Sequence, residues 1–87
     1  MDKIAIVSGG SSGLGRAISI ELANKNYHVV IIGRNKKGLN ETSKLIKNNK
    51  KKCSLISLDV SKNIFIEKIK KKISNIDGNV ELVINNA

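Results

Sequence analysis

The sequence predicts an α/β fold in three layers, a parallel sheet with helices on both faces. Two observations carry this. Four short apolar runs lack the apolar–polar alternation of half-exposed strands, as strands covered on both sides do. The first three runs are each followed by a helical pattern, and that order implies right-handed crossovers into one parallel sheet. A third observation concerns use: glycine or polar clusters punctuate the end of every run, most densely at Ser8-Gly9-Gly10-Ser11-Ser12-Gly13-Leu14-Gly15.

Lys3–Ser8 is the expected first strand, with Ile4-Ala5-Ile6-Val7 as its apolar body. Ser11 and Ser12 can cap a helix that begins near Leu14. Its expected core stripe is Leu14, Ala17, Ile18 and Leu22, flanked by Arg16 and Glu21, and Asn24-Lys25-Asn26 ends it. Tyr27–Ile32 is the second strand, and Gly33-Arg34-Asn35 closes it and opens a turn. Leu39, Thr42, Leu45 and Ile46 fall at helical spacing in Lys36–Asn49, and Lys47–Lys52 is a solvated connection. Cys53–Leu58 is the third strand, ending at Asp59-Val60. Ser61 can cap a third helix with Phe65, Ile69, Ile73 and Ile76 on one face and Lys68, Lys70, Lys71 and Lys72 in water. Ile76-Asp77-Gly78-Asn79 is turn chemistry, and Val80–Ile84 is the fourth strand, followed by Asn85-Asn86-Ala87.

Eighty-seven residues make one small domain, burying about 60–65% of the surface its unfolded chain exposes. Cys53 is the single cysteine, so there is no internal disulfide and no thiol metal cluster, which fits a reducing compartment. No apolar run is long enough for a signal-peptide core or a membrane span. A soluble cytoplasmic protein with no membrane partner is the expectation. The net charge of +9 raises nucleic-acid binding as an alternative. The charge is overwhelmingly lysine in a chain also rich in Asn and Ile, the bias of AT-rich coding. The aromatic residues are Tyr27 and Phe65 alone, too few for a stacking platform, so no nucleic-acid partner is expected.

Glycines between a strand and a helix permit a tight turn, close ligand approach, and free helical N–H groups that bind an anion. A plain Gly/Ser-rich loop is the alternative reading of Ser8–Gly15 alone, and the strict G-x-G-x-x-G spacing is absent. With the strand order 3-2-1-4, ligand lies at the carboxyl ends of the strands, beside the switch point between strands 1 and 4. Ser8–Gly15, Gly33–Asn35, Asp59-Val60 and Asn85-Asn86 all fall at that edge. This points to a dinucleotide, with its pyrophosphate on the first helix. At the end of strand 2 an acid would hold an NAD ribose, whereas arginine accommodates the NADP 2′-phosphate. Arg34 follows Gly33 directly and can form two charge-assisted bonds. NADP is therefore expected over NAD, with Asn35 and Lys36 as helpers. An ordinary exposed loop arginine is the other reading of Arg34.

Over its whole length the chain resembles the N-terminal, cofactor-binding portion of the short-chain dehydrogenase/reductase family. The family's Thr-Gly, three residues, Gly, one residue, Gly pattern stands here as Ser8-Gly9, Gly10-Ser11-Ser12, Gly13, Leu14, Gly15. The leading serine keeps the hydroxyl, and Ser12 in place of glycine matches the short branch rather than the extended, epimerase-like one. Asp59-Val60 resembles the pair that contacts adenine, with a turn or capping aspartate as the alternative. Asn85-Asn86-Ala87 resembles the start of the Asn-Asn-Ala-Gly segment, which steadies the sheet or lines the cofactor cleft.

The resemblance implies residues 1–87 as part of a Rossmann-type NAD(P)-binding domain, truncated after strand 4. It implies cofactor contacts from Ser8, Gly9, Ser11, Ser12, Gly13, Leu14, Gly15, Arg34, Asn35, Asp59, Val60 and Asn86. It further implies hydride transfer to or from a carbonyl or alcohol substrate in a full-length, homo-oligomeric parent. The family's acid/base Tyr-x-x-x-Lys is not in this sequence: the residue four after Tyr27, the sole tyrosine, is Ile31. No catalytic residue and no metal ligand is assigned. An N-terminal piece of a longer reductase is therefore expected, with weak or no NADP binding and no turnover by itself. A non-catalytic nucleotide-binding or interaction module is the alternative.

Overall fold

A computed structural model describes residues 1–57 and 65–86. Its elements are β1 (Asp2–Ser8), α1 (Gly13–Asn24), β2 (Tyr27–Gly33), α2 (Lys36–Asn48), β3 (Cys53–Ser57), α3 (Phe65–Ser74) and β4 (Gly78–Asn85). The strands form one parallel sheet in the order β3-β2-β1-β4, as the sequence predicts. Leu58, Asp59, Val60, Ser61 and Ala87 lie outside the described residues, and with them the pair expected to contact adenine and the expected cap of the third helix.

The unalternating runs explain the layering. Alternate residues of β1 and β2 point to opposite faces, and both sets are apolar. Val7, Val29, Ile31 and Cys53 face α1 and α2, where Ala23, Leu39 and Ile46 complete one core. Ile4, Val30, Ile32 and Ile56 form a second core on the other face, with Ile69, Ile73 and Ile76 packed over it from α3 and the turn beyond. Ile4, Val7, Val29, Val30 and Ile31 are fully buried. At about 1.5–3 kcal/mol for each such side chain, the two central strands dominate the hydrophobic stabilisation.

Helix α1 departs from the expected stripe. It buries Gly15, Ser19 and Ala23, while Leu14 is 66% exposed and Ala17 is also exposed. Ile18 and Leu22 flank the contact, half-buried. The reason is distance: a seam of small residues at i, i+4 and i+8 lets the helix lie closer to the sheet than a leucine stripe would. The Ser19 hydroxyl in that seam donates to Gly15 O at 2.7 Å, so burial leaves it satisfied. Ser12 holds the N-cap position, yet its side chain makes no capping bond. Asn35 does cap α2, accepting from Gly38 N at 3.1 Å.

In α2 the buried residues are Gly38, Leu39, Thr42, Ser43 and Ile46; Leu45 instead faces solvent. The lysine-rich connection is largely solvated, with two tethers. Lys51 Nζ donates to Asn26 Oδ1 at 2.8 Å, and Lys52 Nζ pairs with the Asp2 carboxylate at 3.0 Å. Lys68, Lys70, Lys71 and Lys72 face water. The expected turn before β4 is shorter than Ile76–Asn79, because β4 already begins at Gly78.

Strand β4 pairs with β1 in an interrupted register. Ile4 lies opposite Val80, but Ala5 lies opposite Leu82, so the ladder shifts by one residue at Glu81. Beyond the shift, Val7 pairs with Ile84 and Ser8 with Asn85. On the outer edge, Val80 and Val83 are exposed. Among the described residues no helix is long and apolar enough to cross a membrane.

Candidate functional site

The loop between β1 and α1 is folded over the carboxyl ends of β1, β2 and β4. Gly9 N and Gly10 N both reach Ile32 O, at 2.9 and 3.4 Å, which pins the loop to the carboxyl end of β2. Gly9 and Gly13 have positive φ, +73° and +56°, a backbone region that L side chains rarely enter. A Cβ on Gly13 would meet nothing within 4 Å, so the start of α1 opens onto free space. The first-turn N–H groups there have no i−4 carbonyl within the helix, and the Ser12 side chain does not cap them.

Asn86 closes this loop from behind. A Cβ on Gly9 would sit 3.1 Å from Asn86 Nδ2, and one on Gly15 would come 2.8 Å from the same atom and 2.6 Å from Gly9 C. Gly9 and Gly15 therefore both pack against Asn86 from the far end of the chain, tightly at Gly9 and with no room for a methyl group at Gly15. Ser8 fixes Asn86: Asn86 N donates to Ser8 Oγ at 3.0 Å. The Ser8 hydroxyl in turn has Ile84 O at 3.3 Å and Asn85 Oδ1 at 3.1 Å as acceptors. With one hydrogen, it serves one of these at a time.

The structure adds a network that sequence reasoning missed. Arg16, expected on a helix flank, turns back beneath the loop. Its Nη2 donates to Ser11 O at 2.6 Å and Gly38 O at 3.2 Å, and its Nε to Thr42 Oγ1 at 2.9 Å. Glu41 pairs with the same Nη2 at 3.3 Å. Thr42 Oγ1 donates onward to Gly10 O at 2.7 Å. Gly38 allows the approach, since a Cβ there would lie 2.9 Å from Ser11 Cβ. The only signal in the sequence was a polar Thr42 among the apolar positions of a helix.

Ser11 and Ser12 lead into α1 and Leu14 lies in its first turn, with Ser12 and Leu14 exposed. Gly33 ends β2, and Arg34 and Asn35 follow, both exposed, at the entry to α2. Neither Gly33, Arg34, Asn35 nor Lys36 brings a carboxylate to this edge. Ser8, Gly9, Ser11–Gly15, Arg34, Asn35 and Asn86 thus share the carboxyl edge of the sheet, and Asp59 and Val60 lie outside the described residues.

A second polar cluster lies at the opposite end, where the strands start. His28 Nε2 is 2.8 Å from Ser54 Oγ, and its Nδ1 is 3.6 Å from the Asp2 carboxylate, too long for a hydrogen bond. Burial holds the imidazole below its ordinary pKa, with Asp2 pulling weakly the other way. The Asp2 carboxyl is itself held low, chiefly by its bond from Lys52. Among the described residues no group of three His, Cys, Asp or Glu side chains could hold a metal ion.

Known proteins share this architecture. A family model for short chain dehydrogenase matches residues 3–87. The short-chain dehydrogenase/reductase homolog YusS of Bacillus subtilis is 35% identical over 88 residues, spanning all of this chain and 81% of its own length. An actinorhodin polyketide ketoreductase variant with NADPH has a TM-score of 0.89 at 27% identity, over 99% of this chain and 33% of that one. L-Sorbose reductase from Gluconobacter frateurii, complexed with NADPH and L-sorbose, also has a TM-score of 0.89, at 25% identity and the same coverage. This chain spans 30–37% of the length of four further bacterial oxidoreductases that it matches. On its sheet order, its glycine loop and these matches, the chain belongs to the short-chain dehydrogenase/reductase family of oxidoreductases.

Proposed function

We propose that residues 1–87 form the adenosine-binding part of an NADP-dependent short-chain dehydrogenase/reductase that acts on a carbonyl or alcohol substrate. The observation that carries this is the open start of α1: Gly13 at φ +56° faces free space while Gly9 and Gly15 pack closely against Asn86. A cradle of that shape, with uncapped N–H groups, fits an anion such as a pyrophosphate. The related ketoreductase and L-sorbose reductase structures hold NADPH, which supports a nicotinamide cofactor here.

In this reading Ser11–Gly15 hold the pyrophosphate, while Ser8, Gly9 and Asn86 shape its floor. Arg34 and Asn35 recognise the 2′-phosphate, and Asp59 and Val60 the adenine. The bound cofactor would supply a hydride donor or acceptor at its nicotinamide ring. No residue of this chain is assigned to the chemical step, since Tyr27 sits at the start of β2, away from the carboxyl edge. Free Cys53 fits work in a reducing cytoplasm.

The test is Arg34→Asp in a complete homologue that carries this N-terminal portion, read by fluorescence titration with NADPH and NADH. Two charge-assisted bonds to the 2′-phosphate are together worth about 1.5–3 kcal/mol. NADPH affinity should fall about 10- to 150-fold, with NADH becoming the preferred ligand. Unchanged selectivity would overturn the assignment of Arg34.

A further inference from the structure

Arg16 does not face the open mouth of the loop; it bridges the loop and α2. Its guanidinium holds a loop carbonyl (Ser11 O), a helix carbonyl (Gly38 O) and a helix hydroxyl (Thr42 Oγ1). Thr42 returns a second bond to the loop at Gly10 O. Both Gly10 O and Ser11 O are thereby drawn toward α2. Gly38 is also the residue whose N–H the Asn35 cap accepts, so one short path runs from loop to cap: Ser11, Arg16, Gly38, Asn35. A further bond at Glu41 orients the guanidinium from the exposed side.

We infer that Arg16, through Thr42 and Gly38, is a positioning residue that sets the spacing between the pyrophosphate seat and the 2′-phosphate seat. This rests on the proposed NADP site and adds the device that keeps its two anion subsites in register. A ligand that spans both seats needs the spacing; a ligand that occupies only the second does not. Lysine cannot replace Arg16, because a single ammonium lacks the planar fork that reaches three acceptors in fixed directions. Glu41 is half-exposed and lies at the rim, so its loss should matter less.

The experiment compares NADPH, which spans both seats, with 2′-AMP, which offers the 2′-phosphate alone. Affinities are measured by calorimetric titration for a complete reductase that carries this N-terminal portion, unaltered and as Arg16→Lys and Thr42→Val. The expected result is a loss of about 10-fold or more in NADPH affinity for both variants, with 2′-AMP affinity unchanged. Thr42→Val keeps the side-chain shape, so it reads the network even where Arg16→Lys fails to fold. Equal losses for both ligands would make Arg16 and Thr42 merely structural and overturn the inference, as would no loss for either. Failure of the unaltered complete reductase to bind 2′-AMP and NADPH would instead remove the NADP reading itself, and this inference with it.

Discussion

Replacing Gly15 by alanine sets two effects of opposite sign against each other. Inside a helix, alanine is favoured over glycine by about 1 kcal/mol. Against this, the new methyl would fall within the Gly9 carbonyl oxygen, 2.6 Å from Gly9 C and 2.8 Å from Asn86 Nδ2. Normal carbon contacts need about 3.5–4.0 Å, so the helix or the loop must retreat by about 1 Å. Neither retreats freely. Gly9 is bonded to Ile32 O, and Asn86 is held through Ser8. Overpacking of this kind costs about 1–3 kcal/mol, and backbone obstacles place it near the top of that range. The net loss is then about 2 kcal/mol, or a fall in melting temperature of about 8–16 °C for a domain of this size. Thermal melts followed by circular dichroism measure it. Gly33→Ala is the control, because the nearest atoms its Cβ would meet belong to the Leu39 side chain, with Cδ2 at 3.4 Å. A Gly15→Ala variant that melts at or above the parent temperature would show that helix propensity outweighs the contact and refute the reasoning.

Other outcomes follow from the titratable groups His28, Asp2 and Cys53. Burial lowers the His28 pKa from its ordinary 6.5, so the fold disfavours the charged imidazole. Below about pH 6.5 the unfolded chain takes the proton first, so stability falls as pH drops through that value. Asp2, whose pKa is also lowered, adds a loss of the same sign below its ordinary 3.8. Urea midpoints at pH 7 and 5 should differ in the parent and converge in His28→Gln; a parallel fall in the variant would exonerate His28. Burial raises the pKa of the Cys53 thiol and leaves it 7% exposed. A disulfide reagent such as DTNB at pH 8 should therefore label it slowly in the native protein and fully in urea. Fast native labelling would contradict the described burial of β3.

The strands and their order were legible because the sheet is made by apolar runs, which bury on both faces in the central β1 and β2 but leave Val80 and Val83 exposed in the edge strand β4. Ile4–Val7 and Val29–Ile32 sit where their chemistry put them. The carboxyl-edge placement of Ser8–Gly15, Gly33–Asn35 and Asn86 followed from that order. Helix faces were less legible. A stripe of large residues was expected for α1, yet Gly15, Ser19 and Ala23 make the contact. Hydrophobicity ranks residues by size, whereas close approach selects for its absence. The same bias put Leu45 in the core in place of Gly38 and Ser43. Arg16 was unreadable for a different reason: its partners in α2 lie 22 to 26 residues away, and no local pattern encodes a bridge of that span.

The register shift at Glu81 acts on phase. Val80 and Ile84 are four residues apart and in an uninterrupted strand would share a face. Here Val80 sits opposite Ile4 of one core and Ile84 opposite Val7 of the other. The extra residue rotates the end of β4 by half a pleat. Asn86 reaches Gly9 and Gly15 only after that half-step. Residue 81 therefore contributes a length, not a side chain, and works as a spacer that times the arrival of the asparagine. Glu81→Ala should melt close to the parent, while deletion of residue 81 should lower the melting point sharply. Equal melting of the two would disconnect the spacer from the site.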